Sequence, residues 1–224
     1  MRLEINQKPK ENKSSEKKDI LLYNYYLIDK SGSMSVSNKY EKGISSIKEE
    51  IIKYIKEGLN PIFNITTFNS IQTNRYSGED SKESLKIVEK LATEYPVAGT
   101  PLYQELINSI EKIINLKNDL NRIVLTVITD GQDTSYDNNL KLKASTLIEE
   151  ASKKGIIVTF ICTESDQKYI ESLKVAKDNI ATYNNTGEDL SDKIKLRSNN
   201  FLMYSKSIGT KMETSFTNSF FKSK

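Results

Sequence analysis

The reading of this chain turns on residues 20–34, ILLYNYYLIDKSGSM. The run 20–28 is apolar almost throughout, the composition of a strand buried on both faces of a sheet, and it stops abruptly at the acid Asp29. Ser31 and Ser33 follow at alternate positions around Gly32, so one turn at the carboxyl end of a strand presents a carboxylate and two hydroxyls. In an open α/β sheet that edge is where ligands bind. All three donors are hard oxygens, and the chain contains no histidine. Such a set suits magnesium or manganese better than zinc or copper.

Working outward, Tyr40, Ile44, Ile47, Ile51 and Ile55 recur at the spacing of one helix face, and Gly58 lies just past the end, where a left-handed residue commonly stops a helix. A second strand is expected over 62–68, IFNITTF, with 71–76 returning beside it as a short antiparallel edge strand, because so brief a connection cannot cross over. Ser81 is placed to cap a helix over Leu85, Val88 and Leu91. Pro101 suits the first turn of the next helix, whose face is Leu102, Leu106, Ile110, Ile113 and Ile114. The second strongly apolar strand, 123–129, ends like the first in an acid, Asp130, here followed by Gly131. A helix ending near Gly155, a strand over 156–162, a helix through Tyr169, Ile170, Leu173 and Ala176, a short strand over 180–183 and a helix through Leu190 and Ile194 complete the pattern. Strands alternating with helices on short connections imply a mainly parallel sheet covered on both faces.

The 224 residues divide into an arm over 1–19, one domain over 20–198 and a tail or docking segment over 199–224, with scattered aromatics such as Phe216 and Phe220. The arm is rich in Lys, Glu, Asn and Ser and carries too little apolar surface to offset the entropy of ordering. No apolar run approaches the roughly 20 residues of a membrane-spanning helix, so no membrane role is expected. No apolar segment precedes Ile20 as a secretory signal would, and Cys162 is the only cysteine, so a cytoplasmic location without disulfides is expected. The formal charge of +3 is close to balance and gives no reason to invoke nucleic acid. Without histidine there is no Ser-His or Cys-His nucleophile pair.

Singly, each candidate ligand has an ordinary reading: Asp29 and Asp130 as turn-formers, Ser31 and Ser33 as a capping pair, Thr100 as the cap of the helix that Pro101 begins. Together, Asp29-Lys30-Ser31-Gly32-Ser33, Gly99-Thr100-Pro101-Leu102 and Ile128-Thr129-Asp130-Gly131 resemble the three separated parts of the metal-ion-dependent adhesion site (MIDAS) of von Willebrand factor A-type (VWA) domains. The resemblance covers about residues 20–196, and it is nearest to the small intracellular bacterial and phage-borne members whose first motif carries a basic residue, here Lys30.

That resemblance implies a Rossmann-like, doubly wound sheet of about six strands with helices on both faces and one antiparallel edge strand. It also implies that Ser31, Ser33 and Thr100 offer hydroxyl oxygens to Mg2+ or Mn2+, directly or through water, while Asp29 and Asp130 supply the charge. The expected partner is a protein whose Asp or Glu completes the coordination. By strand alternation Lys30 is expected to face solvent. Asp133 and Asp137 match no ligand position and are expected to be loop residues.

The function expected is a non-enzymatic, metal-dependent protein-interaction module; self-association is not indicated either way. Two other classes stand beside it. A magnesium-dependent phosphatase or phosphotransferase would use Asp29 as nucleophile, but haloacid-dehalogenase-like sites want a second acid two residues on, where this chain has Ser31. A structural scaffold would keep the site without using it. Walker-type phosphate binding is excluded, since no GxxxxGK occurs.

Overall fold

The computed structural model describes residues 20–78, 80–210 and 212–222. The arm expected over residues 1–19 lies outside the described residues. Six strands form one sheet in the order β3-β2-β1-β4-β5-β6. They are β1 (Leu21–Asp29), β2 (Ile62–Phe68), β3 (Thr73–Gly78), β4 (Asn121–Ile128), β5 (Ile157–Thr163) and β6 (Ile180–Tyr183). Every pairing is parallel except β2 with β3, the antiparallel edge expected from the short connection.

Helix α1 (Lys39–Lys56) carries the chain from β1 to β2 on one face of the sheet, and α4 (Asn138–Lys153) carries it from β4 to β5 on the other. The winding therefore reverses between β1 and β4. That reversal opens a crevice at the carboxyl ends of these two strands, just where Asp29 and Asp130 stand.

Strand alternation divides the core. Tyr26 and Ile28 of β1 and Val124 and Ile128 of β4 pack under α1, α2 (Ser81–Leu91) and α6 (Gly187–Ser207). Tyr25 and Leu27, with Ile123, Leu125 and Val127, face α3 (Leu102–Leu116), α4 and α5 (Gln167–Glu171). Both layers are closed, so the strands are buried on both faces as their composition implied.

The apolar run of β1 hides one polar residue with a structural task. Asn24 is fully buried beneath α1 and α6 together with Glu50 and Arg197. Arg197 donates to Glu50 Oε1 at 2.6 Å, to Thr126 Oγ1 at 2.8 Å and to Asn24 Oδ1. Asn24 Nδ2 donates to Glu50 Oε1 at 3.0 Å, and Tyr26 Oη donates to Glu50 Oε2. The guanidinium also lies over the rings of Tyr26 and Phe201, at 4.8 and 4.9 Å from their centroids. One arginine thus ties β1, β4, α1 and α6 together.

Three details depart from the pattern read in the sequence. The cap of α2 is Asp80, whose side chain accepts from the Glu83 amide at 2.8 Å; Ser81 is instead the first helical residue, its hydroxyl donating to Asn60. The helix through Tyr169 is short, because the chain turns at Lys174 with a positive φ of 64° before reaching Ala176. Finally, α6 runs through positions 198 and 199 to Ser207, burying Phe201 and Tyr204. Beyond it α7 (Glu213–Asn218) and the turn after it bring Phe216 back onto Tyr204 and Phe220 onto Phe216, held by the Phe220 amide on Asn179 Oδ1 at 2.9 Å.

Candidate metal centre

The site is assembled by four loops at the carboxyl edge of the sheet. After Asp29 the chain enters 3-10 turns over Gly32–Asn38 that bury Met34 beneath them. The loop before α3 is stitched to this segment: the Gly32 amide donates to Ala98 O at 2.9 Å and the Val97 amide to Lys30 O at 3.0 Å. Thr100 is fixed from two sides. Its carbonyl accepts from the Thr134 amide at 2.9 Å, and the neighbouring Gly99 carbonyl accepts from the Ser70 amide at 2.9 Å. Gly99 suits this spot because a side chain would press on Thr134, whose Oγ1 would lie 3.1 Å from a Cβ.

These contacts bring all five expected residues together. Asp29 is fully buried, and its Oδ1 accepts from the Ser31 amide at 2.8 Å. Its Oδ2 accepts from Thr129 Oγ1 at 2.7 Å and from Thr100 Oγ1 at 3.4 Å. Ser31 Oγ lies 3.1 Å from Ser33 Oγ, and Ser33 Oγ donates to Asp130 Oδ1 at 2.7 Å. Burial pushes the Asp29 carboxyl from its ordinary 3.8 up to about 6, and the hydrogen bonds from Ser31 and Thr129 offset only part of that.

The donor set fits a small hard cation. Neighbouring oxygens on an octahedral magnesium, with bonds of about 2.0–2.1 Å, stand roughly 2.9 Å apart. The Ser31–Ser33 and Ser33–Asp130 separations of 3.1 and 2.7 Å bracket that value. Among the described residues no three histidine, cysteine or acidic side chains cluster as a ready-made metal cage, so the hydroxyls are indispensable to any such site. Tyr183 Oη, buried at the end of β6, finds no hydrogen-bond partner among the described residues; burial raises its pKa and the Asp130 and Asp29 carboxylates push the same way.

Three neighbours were not foreseen as parts of the site. Thr129 stood in the third motif without an assigned role, and its hydroxyl is a closer donor to Asp29 than that of Thr100. Lys39, at the start of α1, donates its ammonium to Asp130 Oδ2 and, at 2.5 Å, to Asn185 Oδ1 in the loop after β6. The available signal was a lysine in the first turn of a helix, where the helix dipole disfavours a cation.

Lys30 does not face solvent. It is 4% exposed and pairs with Glu94 at 2.8 Å, because β1 ends at Asp29 and strand alternation no longer governs the next residue. Glu94 also accepts from Thr67, Asn74 and Tyr76. Burial works against its charge, yet the hydrogen bonds from Lys30, Thr67 and Tyr76 hold its carboxyl below the usual range. Asp133 and Asp137 are structural, as expected of loop residues. Asp133 accepts from the Tyr103 amide at the start of α3, and Asp137 caps α4 through the amides of Asn139 and Leu140.

The strand order, the single antiparallel edge and the helices on both faces make this a Rossmann-like, VWA-type fold. The sequence matches no protein-family model and no curated protein. Solved structures share the fold. The pilus adhesin SpaC from Lactobacillus rhamnosus GG is similar with a TM-score of 0.69 at 11% identity, over 82% of this chain and 31% of that one. Proximal thread matrix protein 1 from the mussel byssus has a TM-score of 0.59 at 17% identity, over 80% of this chain and 47% of that one. A further structure of the mussel protein, at a TM-score of 0.60 and 17% identity, carries a zinc-occupied MIDAS motif. At these identities the likeness is one of fold, and the chain spans less than half the length of either protein.

Proposed function

We propose that this domain is a divalent-ion-dependent protein-interaction module. Ser31, Ser33 and Thr100 would hold Mg2+ or Mn2+ through hydroxyl oxygens, Asp29 and Asp130 would supply charge, and a protein partner's Asp or Glu would complete the coordination. The observation that carries this reading is the convergence of five oxygen side chains from three separate loops, with the Ser31–Ser33 and Ser33–Asp130 separations close to those between neighbouring ligands of an octahedral ion. A cation bound mainly by hydroxyls keeps most of its charge, which favours a carboxylate from outside.

The surroundings suit a partner. Val36, Ile71, Tyr95, Val97 and Tyr136 are all exposed on loops at this edge, with Ile71, Tyr95 and Tyr136 at 76, 73 and 82%. Apolar and aromatic residues around a charged centre are the usual make-up of an interface core. Ile71, Tyr95 and Val97 also line a groove of about 380 Å³, together with Lys30, Tyr76 and Glu94. Among the described residues no helix is long and apolar enough to cross a membrane. We place the module in the cytoplasm, a reading supported by the single, buried and unpaired thiol of Cys162.

A phosphotransferase reading finds less support. Asp29 is fully buried with a hydrogen bond on each oxygen, which shields it from an incoming phosphate ester and lowers its nucleophilicity.

Titration calorimetry with MgCl2 and MnCl2 tests the proposal. The natural chain is expected to bind one ion, and Thr100→Ala, which removes one oxygen at the rim, to bind it about 10–100-fold more weakly. Equal heats from both proteins, or no heat from the natural chain, would contradict it.

A further inference from the structure

The lysine at the start of α1 is buried to an extent that helix formation does not explain. The side chains of Lys39 and Asp130 are 2% and 0% exposed. Ser37 and Asn38, just before Lys39, hold positive φ values of 54° and 53°, and Asn185, which receives its ammonium, holds 57°. Asparagine tolerates this conformation, but for Ser37 it is costly and persists because the surroundings enforce it. Here the surroundings include Gly187, two residues past Asn185, packed so closely on the turn before α1 that a Cβ there would lie 2.6 Å from the Ser37 carbonyl oxygen. The first turn of α1 and the β6–α6 loop are thus clamped together, and the clamp points one ammonium at Asp130.

Resting on the metal reading above, we propose that Lys39 is a tethered counter-cation that balances Asp130 in the metal-free domain and competes with the divalent ion for it. Asp130 has both oxygens committed, one to Ser33 and one to Lys39. Full coordination by the Ser33–Asp130 side of the site therefore requires the ammonium to give up Asp130 and keep only its bond to Asn185, or to share the carboxylate against like charge. Either way affinity for the ion falls below what the oxygens alone would give. A cation supplied by the chain also spares the metal-free form the repulsion between Asp29 and Asp130.

The test compares the natural chain with Lys39→Met, and with Lys39→Gln as a second neutral variant, using Mn2+ alone as the probe. Calorimetry is expected to show Mn2+ bound on the order of tenfold more tightly once the competing charge is gone. Melting in EDTA is expected at a lower temperature for both variants, because Asp130 is left buried without its cation, and Asp130→Asn added to Lys39→Met should restore it. Mn2+ affinity unchanged or weakened in both variants overturns the competition. Melting in EDTA unaffected by the loss of Lys39 overturns its role as counter-cation. Absence of Mn2+ binding in all the proteins overturns the metal reading itself, and this inference with it.

Discussion

Arg197→Ala is expected to cost the fold about 3–5 kcal/mol, read as a fall in the urea midpoint at an unchanged denaturant slope. The size of the effect comes from what remains. Without the guanidinium, Glu50 keeps a buried charge with only Asn24 and Tyr26 to satisfy it, and Asn24 Oδ1 loses its donor. The cavity under Tyr26 and Phe201 adds to the loss, since both rings pack on the guanidinium. Arg197→Met with Glu50→Gln should recover a large part, because the stranded charge is gone while the volume is nearly kept. A loss below about 1 kcal/mol in the single variant would mean that water or a rearranged neighbour reaches Glu50.

Asp29→Asn is expected to separate stability from binding. In the metal-free protein a buried carboxylate is held at a pKa of about 6 against an ordinary 3.8, which at pH 7.5 amounts to about 3 kcal/mol of strain. Because the folded pKa is the higher one, the stability that Asp29 contributes is greatest below 3.8 and is lost as the pH rises through about 6. Asparagine carries no such penalty. Its oxygen can accept from the Ser31 amide and its amide can face Thr129 Oγ1, which then donates to the Gly131 carbonyl 3.1 Å away. In EDTA the variant should therefore equal the natural chain near pH 4 and exceed it by up to about 3 kcal/mol near pH 7.5. Calorimetry should meanwhile find its Mg2+ and Mn2+ binding abolished. A variant less stable than the natural chain at pH 7.5 would show that the Asp29 charge is compensated within the fold.

Much of this architecture is legible in the chain because period and punctuation agree. The strand expected over 62–68 matches β2, and the apolar runs that end in Asp29 and Asp130 become β1 and β4 with both acids at the switch point. That the candidate ligands would lie near one another was readable from the order of the three motifs and not from any one residue, since each alone also reads as a turn-former or a cap. What escaped the sequence is polar chemistry between distant residues. Arg197 sits in a stretch of Lys, Asp and Ser that resembles a solvated helix face, and only the approach of α1 and α6 shows it to be core. Lys30 and Lys39 look like surface lysines until Glu94 and Asp130 are placed beside them. Phe216 and Phe220, few and widely spaced in a polar segment, give no periodic signal, yet they close the core over Tyr204.

The central claim is that five side chains from separate loops hold one cation at the rim of the sheet. Anomalous diffraction from crystals grown with MnCl2 tests it most directly. The expected result is a single strong peak within coordination distance of the Ser31 and Ser33 hydroxyls, beside Thr100 and Asp130. Full Mn2+ occupancy elsewhere on the molecule, with Lys39 still bound to Asp130 and no density at that rim, would contradict it.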